Sequence, residues 1–217
     1  MADKQEKITS YFSGIENKPI LLNKIVSGGQ TGADRAALEA AKECGFETGG
    51  WAPVGYQTSS GRDQSLKSYG LKEDTNNTNI NQSYIWRSKK NIDDSCATLF
   101  FRIMESNGTD CSISYCYCKK WQPEMPNICR FCHKDYLVIR DAVLSDDEMG
   151  NMVWETDIDR VILFLRMNKI HTLNVAGHRE FMADGMWQKR VFNFMADLLQ
   201  RVKKIQNECT QRHGPGK

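Results

Sequence analysis

The sequence of 217 residues has no long apolar run and little net charge. No stretch approaches the ~18 apolar residues that a membrane span needs. Residues 1–7 are mostly charged or polar and lack the apolar segment of a secretory signal peptide. A net charge of +2 is too small for nucleic-acid binding by bulk electrostatics, so direct DNA binding is not expected. These absences predict a soluble, intracellular protein that is not held at a membrane.

A recognisable catalytic signature is also missing. No Ser-His-Asp or Cys-His pattern stands out, so no nucleophile is predicted and the question of enzyme activity stays open. Eight cysteines are present, and without a signal peptide we expect reduced thiols or metal ligands rather than a disulfide framework. An apolar content of 40% is enough to fill the core of one α/β domain.

Residues 25–38, with the sequence IVSGGQTGADRAAL, have the order of a buried strand, a glycine turn and a helix start. The helix is predicted over residues 34–44. Gly28 and Gly29 would let the backbone approach a ligand, and Gly32 would let helix and strand pack closely. Unpaired N–H groups and the helix dipole make such a turn an anion site. The alternative is a tight turn that binds nothing.

Short apolar strands alternate with helical patterns along the rest of the chain. This alternation predicts an α/β fold with a mainly parallel sheet and helices on both faces. Ligands bind such sheets beyond the carboxyl ends of the strands, where three loops are expected to meet: residues 27–35, 106–109 and 174–180. A polar stretch that ends near Asn79 is longer than a usual connection, which suggests a lid, a binding loop or a plain insertion. Further strands are predicted at 46–48, 97–101, 136–139 and 172–175, and helices at 81–90, 110–121, 157–168 and 187–205.

The first 20 residues have no helix or strand period and are predicted to form a flexible arm. Gln5, Ile8, Tyr11 and Phe12 have the spacing of a glutamine, an aliphatic residue at +3 and aromatic residues at +6 and +7. This spacing resembles the PCNA-interacting peptide, or PIP box, in which one helical turn presents an apolar plug. The resemblance implies recruitment to the sliding clamp PCNA, and hence a location in the nucleus or at a replication site. Alternatively, the aromatic residues pack on the protein's own surface.

Six segments follow one another along residues 24–202: SGGQTGADRAAL (27–38), GGWAP (49–53), YGLKE (69–73), NIDDSCATLFF (91–101), SNGTD (106–110) and NVAGHRE (174–180). Together they resemble the molybdenum-cofactor carrier family. This family is a branch of the Rossmann-like superfamily that includes the LOG phosphoribohydrolases and, more distantly, DNA-processing protein A. The resemblance implies a Rossmann-like, doubly wound domain over residues 21–206, often oligomeric, which binds a nucleotide or a molybdopterin-type ligand.

The same resemblance assigns residues to a phosphate-bearing ligand. Asp34 has the alternative role of a favourable N-terminal carboxylate, and Arg35 pairs with it or with the ligand. Asp110 stands where the phosphoribohydrolases have a glutamate, so base–sugar cleavage is not expected. The assigned residues are Ser27, Gly28, Gly29, Gln30, Thr31, Gly32, Asp34 and Arg35 in the first loop, Asn107, Gly108 and Thr109 in the second, and Asn174, Gly177 and Arg179 in the third.

A cysteine-rich insertion is predicted at residues 122–135. Thiolates two residues apart are a common half-site for tetrahedral zinc, and a metal could stabilise an insertion with little core. The predicted ligands are Cys118, Cys129, Cys132 and either His133 or Cys116. Buried cysteines on the inner face of a helix are the simpler alternative.

These observations predict a phosphate-ligand-binding protein that is recruited to the clamp and acts on or senses nucleotides in DNA replication or repair. A non-catalytic molybdenum-cofactor carrier and a DNA-binding adaptor are the alternatives. Residues 207–217 are predicted to form a flexible C-terminal tail.

Overall fold

The computed structural model describes residues 15, 18–102, 128–129, 134–140, 155–180 and 185–212. Nine strands and four α-helices lie within these residues. The strands are β1 (Lys24–Val26), β2 (Glu47–Ala52), β3 (Gln57–Thr58), β4 (Gly61–Arg62), β5 (Leu71–Glu73), β6 (Ala97–Arg102), β7 (Ile128–Cys129), β8 (Lys134–Arg140) and β9 (Thr172–Gly177). The helices are α1 (Ala33–Glu43), α2 (Ile80–Asp93), α3 (Glu155–Met167) and α4 (Met186–Arg212), with 3-10 turns at Val54–Tyr56 and Gln64–Tyr69.

Seven of the strands form one sheet in the order β5-β2-β1-β9-β6-β8-β7. The first six are parallel, and the short β7 pairs antiparallel with β8. The chain goes outward from β1 to β2 and β5, crosses to β6 and β8, and returns as β9 between β1 and β6. The order therefore reverses between β1 and β9, which is where open α/β sheets bind ligands. The predicted fold class, with its mainly parallel sheet, is confirmed.

The two faces of the sheet have different interiors. Leu99 and Phe101 of β6 face a large apolar core with α1, α3 and α4, whereas Phe100 faces the α2 side, because successive strand residues alternate between faces. The helix predicted at residues 187–205 is confirmed within α4, and a stripe of its apolar side chains from Trp187 to Val202 is almost completely buried. Beneath α2 the interior is partly polar and contains Ser88, Asn91, Thr98 and Asn174.

Several element bounds differ from those predicted from the sequence. The second strand is longer, and the polar stretch before Asn79 contains the β3–β4 hairpin, the 3-10 turn Gln64–Tyr69 and the edge strand β5. Leu71–Glu73 has only one apolar residue, so β5 depends on pairing with β2 and was not visible as a period-2 pattern. Helix α4 continues past residue 206 to Arg212. No helix among the described residues is long and apolar enough to cross a membrane.

Candidate ligand site at the glycine turn

The turn between β1 and α1 requires glycine at three positions. Gly29 and Gly32 have φ angles of 72° and 85°, in a region that residues with a Cβ rarely adopt. A Cβ on Gly32 would lie 2.5 to 2.6 Å from backbone atoms of residues 178–180, so the turn after β9 touches the start of α1. A Cβ on Gly28 would overlap the guanidinium of Arg87. The absence of a side chain at Gly28 and Gly32 therefore lets Arg87 and the turn after β9 pack directly on the backbone of this turn.

Most backbone amides at the start of α1 are already paired within the protein. The Gln30 amide donates to Asp34 Oδ2 at 3.4 Å, and the Thr31 amide donates to Gln30 Oε1 at 3.0 Å. The next two amides, of residues 32 and 33, donate to Gln188 Oε1 and to the His178 carbonyl. These N–H groups are thus not free for a ligand in this structure, unlike the expectation from the helix start alone.

The amides of Gly28 and Gly29 behave differently, because they have no hydrogen-bond partner within the described ranges. Both glycines are buried. A buried amide without a partner is uncommon, since it has lost its water without gaining another acceptor. Two such amides follow one another in the turn and are potential donors to a ligand.

Arg87, on α2, lies against the same turn and was not found from the sequence. The residue is only 9% exposed, and its guanidinium lies against Gly28. Its Nη1 donates to Asp34 Oδ2 at 2.9 Å, while Nε has no partner and Nη2 forms no hydrogen bond with a described residue. A guanidinium has five donors, and its Nε–Nη2 edge matches two oxygens of a phosphate or carboxylate. We call Gly28, Gly29 and Arg87 the anion seat.

The sequence of α2 contains a pattern from which the buried position of Arg87 could be predicted. Ser83, Arg87 and Asn91 recur every four residues and are all buried, so the inner face of this helix is polar. A helix that packs on a sheet through polar residues indicates a polar interior, and a buried arginine there needs anionic partners. This spacing in the sequence thus indicates Arg87, although no motif or family resemblance points to it.

Asp34 is the anionic partner of Arg87 in this structure. Its side chain is 4% exposed and that of Arg87 is 11% exposed, so the ion pair is buried. Burial raises the pKa of Asp34 above its usual range, and the positive charge of Arg87 opposes this rise. Asp34 therefore has a specific partner and is more than a favourable N-terminal carboxylate.

The side chains of Gln30, Thr31 and Arg35 contact the segment 57–70, which we call the strap. The Ser59 amide donates to Gln30 Oε1 at 2.8 Å, and the Thr31 and Ser59 hydroxyls are 2.8 Å apart. The guanidinium of Arg35 pairs with Asp63. Hydrogen bonding from Ser65, with a further contribution from Arg35, holds the pKa of Asp63 below its usual range. These three side chains, which the family resemblance assigned to a ligand, thus fasten the strap across the turn.

The third predicted loop, residues 174–180, makes packing contacts, some of them with the first loop, and has one exposed cation, Arg179. Ser27 Oγ donates to the Val175 carbonyl at 2.6 Å, and Asn174 Nδ2 donates to Thr98 Oγ1 at 3.2 Å. Gly177 packs against β6 and the first residue of α1, whereas Arg179 is exposed. The structure therefore brings Ser27 and Asn174 into the strand contacts and leaves Arg179 at the surface.

Other predicted site residues lie outside the described residues. They are Asn107, Gly108 and Thr109 of the second loop, Gln5, Ile8, Tyr11 and Phe12 of the arm, and Cys116, Cys118, Cys132 and His133 of the insertion. For Cys129 only the backbone, in β7, is described. Within the described ranges, no group of three or more His, Cys, Asp or Glu residues could hold a metal ion.

The profile of the circularly permutated YpsA SLOG family matches residues 25–199. The chain belongs to this family. This SLOG protein is also similar to the crystal structure, at 1.45 Å resolution, of a candidate molybdenum carrier protein from Syntrophus aciditrophicus SB. The identity is 26%, the match covers 87% of this chain and 98% of the other, and the TM-score is 0.59.

These matches confirm the Rossmann-like fold of the SLOG domain and its likeness to molybdenum carrier proteins. No curated protein matches the chain. The matched range begins at β1 and ends within α4, so it includes the whole anion seat.

Proposed function

We propose that this SLOG protein binds the phosphoryl group of a nucleotide or pterin-type ligand at the anion seat. The observation that supports this proposal is the buried side chain of Arg87, whose Nε has no hydrogen-bond partner. It lies against Gly28, whose amide, like that of Gly29, has no partner among the described residues. A tetrahedral phosphoryl group has oxygens for both kinds of donor. Hydrogen bonds to charged groups contribute about 1.5–3 kcal/mol each, so such a ligand would offset much of the cost of the buried donors.

The seat fits a phosphoryl group better than a metal ion. Guanidinium and amide groups are donors, whereas a metal ion needs lone-pair ligands, and the described residues contain no such cluster. A molybdenum cofactor would therefore be held through the phosphate of its pterin. We favour a nucleotide and keep the carrier function as the alternative, supported by the similarity to a candidate molybdenum carrier protein.

Binding of AMP, ADP, pyrophosphate and molybdopterin, measured by thermal shift and calorimetry, tests the seat. We expect at least one of these compounds to stabilise the wild-type chain, and Arg87→Gln to weaken its binding at least tenfold. Lys89→Gln is the matched control, since Lys89 is an exposed cation two residues away on the same helix. A ligand that binds wild type and Arg87→Gln equally is not held at this seat.

We further propose that the N-terminal arm tethers the protein to PCNA and so places it in the nucleus at replication sites. The support is the PIP-like spacing of Gln5, Ile8, Tyr11 and Phe12. A peptide of residues 1–18 is expected to bind PCNA at micromolar concentration or better, and its Tyr11→Ala, Phe12→Ala version is expected not to bind. Equal binding by both peptides contradicts the tether. The net charge of +2 argues against the third function, a DNA-binding adaptor.

A further inference from the structure

We infer that Asp34 is a positioning residue that keeps the Nε–Nη2 edge of Arg87 directed at the ligand and sets the charge of the seat. This inference rests on the proposed function, because it concerns how the same seat selects its ligand. Asp34 would act through Arg87 and would not itself bind the phosphoryl group.

The geometry of the ion pair supports the positioning role. Asp34 is in the first turn of α1 and Arg87 is on α2, so the pair joins two elements on opposite faces of the sheet. The guanidinium is planar and rigid, so fixing Nη1 on Asp34 Oδ2 also fixes the opposite edge. Gly28 leaves room for this orientation, since any Cβ there would overlap the guanidinium. The carboxylate is itself held by the Gln30 amide at 3.4 Å.

The charges of the pair determine which anions bind well. The formal charges of Asp34 and Arg87 cancel, so an incoming anion meets hydrogen-bond donors with little net Coulomb attraction. A small anion such as chloride gains little there. A carboxylate can use the arginine edge, but it has no third oxygen for the glycine amides. A phosphoryl group can use both, and we therefore assign phosphoryl ligands to the seat over carboxylates and halides.

Loss of the Asp34 charge has opposite effects on stability and on anion binding under this inference. Asp34→Asn leaves Arg87 as a buried charge without a counter-ion, which destabilises the fold. The same change gives the seat a net positive charge, which strengthens the binding of inorganic phosphate. If Asp34 had a purely structural role, its replacement would lower both the stability of the fold and the affinity for phosphate.

The experiment compares five full-length proteins: wild type, Asp34→Asn, Asp34→Glu, Arg87→Gln and the Asp34→Asn, Arg87→Gln double variant. Melting temperature and affinity are measured with inorganic phosphate and, as a carboxylate probe, acetate. Asp34→Asn is expected to melt lower than wild type without anion, to recover with phosphate, and to bind phosphate about tenfold more tightly. The double variant, in which both charges are removed, is expected to melt near wild type and to bind neither anion.

Asp34→Glu keeps the charge but moves the carboxylate by one methylene, so we expect weaker phosphate binding from the misplaced arginine edge. If Asp34→Asn is unfolded without anion, its refolding on addition of phosphate but not acetate tests the charge role, and Asp34→Glu tests the positioning role. Folded Asp34→Asn that binds phosphate no better than wild type overturns the charge role, and unchanged binding by Asp34→Glu overturns the positioning role.

The outcomes also separate this inference from the proposed function. If Arg87→Gln binds phosphate as wild type does, the proposed function itself fails. If both Arg87→Gln and Asp34→Asn lose phosphate binding, the proposed function still holds and only the inference about Asp34 fails.

Discussion

Arg87 Nη1 and Asp34 Oδ2 are 2.9 Å apart, although the two residues are separated by 53 positions in the sequence. Their ion pair connects the helix after the glycine turn to the helix on the other face of the sheet. In the proposed seat, the donors are therefore a side chain from α2 and two glycine amides, whereas the amides of the first turn of α1 are already paired. The glycine turn and the side chains that contact it can each be changed by a separate substitution.

Gly28→Ala is expected to destabilise the protein and to abolish anion binding. The added methyl group would take the place of the Arg87 guanidinium, which would have to leave Asp34. Breaking a buried ion pair in this way costs about 3 kcal/mol or more. Gly49→Ala is the control, because a Cβ there meets the flexible end of Lys24 at 3.2 Å and makes an ordinary contact with the Gly70 carbonyl at 3.7 Å. Urea unfolding of both variants checks the prediction, and equal stability would show that Arg87 can move without loss.

Breaking the contact between Arg35 and Asp63 is expected to loosen the strap. The two side chains are 13% and 31% exposed, so we expect a coupling energy of about 0.5–1 kcal/mol from a double-mutant cycle of Arg35→Gln and Asp63→Asn. Trypsin should cut after Arg62 or Lys67, which are exposed in the strap, faster in Asp63→Asn than in wild type. Asp157→Asn removes the partner of Arg160 on α3 and is the control, since it should not change cleavage of the strap. Additive effects in the cycle would mean that the two residues do not hold the strap together.

Asp74 is expected to give the protein a characteristic loss of stability in acid. Burial tends to raise its pKa, but hydrogen bonds from Ser83, Asn76 and Asn77 outweigh burial and lower the pKa below the ordinary value of 3.8. A carboxyl group with a lowered folded pKa stabilises the protein above pH 3.8, and this contribution is lost as the pH falls through the folded pKa. Urea unfolding between pH 2.5 and about 7 is therefore expected to show a steeper loss below pH ~4 in wild type than in Asp74→Asn. Parallel curves for the two proteins would contradict the assignment.

The local elements of this fold could be predicted from the sequence, and its long-range contacts could not. The strand, glycine turn and helix of residues 24–43 form one contiguous pattern, in which an apolar pair, glycines with positive φ and a helix follow one another. The Asp34–Arg87 pair has no such local pattern, because it depends on how α2 lies across the sheet. For the same reason the strap contacts of Gln30 and Arg35 were not foreseen, and their side chains were assigned to a ligand.

Replacing Ser27 tests whether a residue that the family resemblance assigned to the ligand instead stabilises the fold. Its hydroxyl is completely buried and donates to the Val175 carbonyl at 2.6 Å, so it joins the end of β1 to β9. Ser27→Ala is expected to lower the free energy of unfolding by about 1 kcal/mol, the usual contribution of such a hydrogen bond. Phosphate affinity should fall less than it does in Arg87→Gln, because Ser27 acts on the seat only through a hydrogen bond to the Asp34 carboxylate. The seat itself uses the amides of Gly28 and Gly29 and the side chain of Arg87. Urea unfolding and calorimetry measure the two quantities. A large loss of phosphate affinity at unchanged stability would indicate that Ser27 contacts the ligand, and this would require a different orientation of the turn.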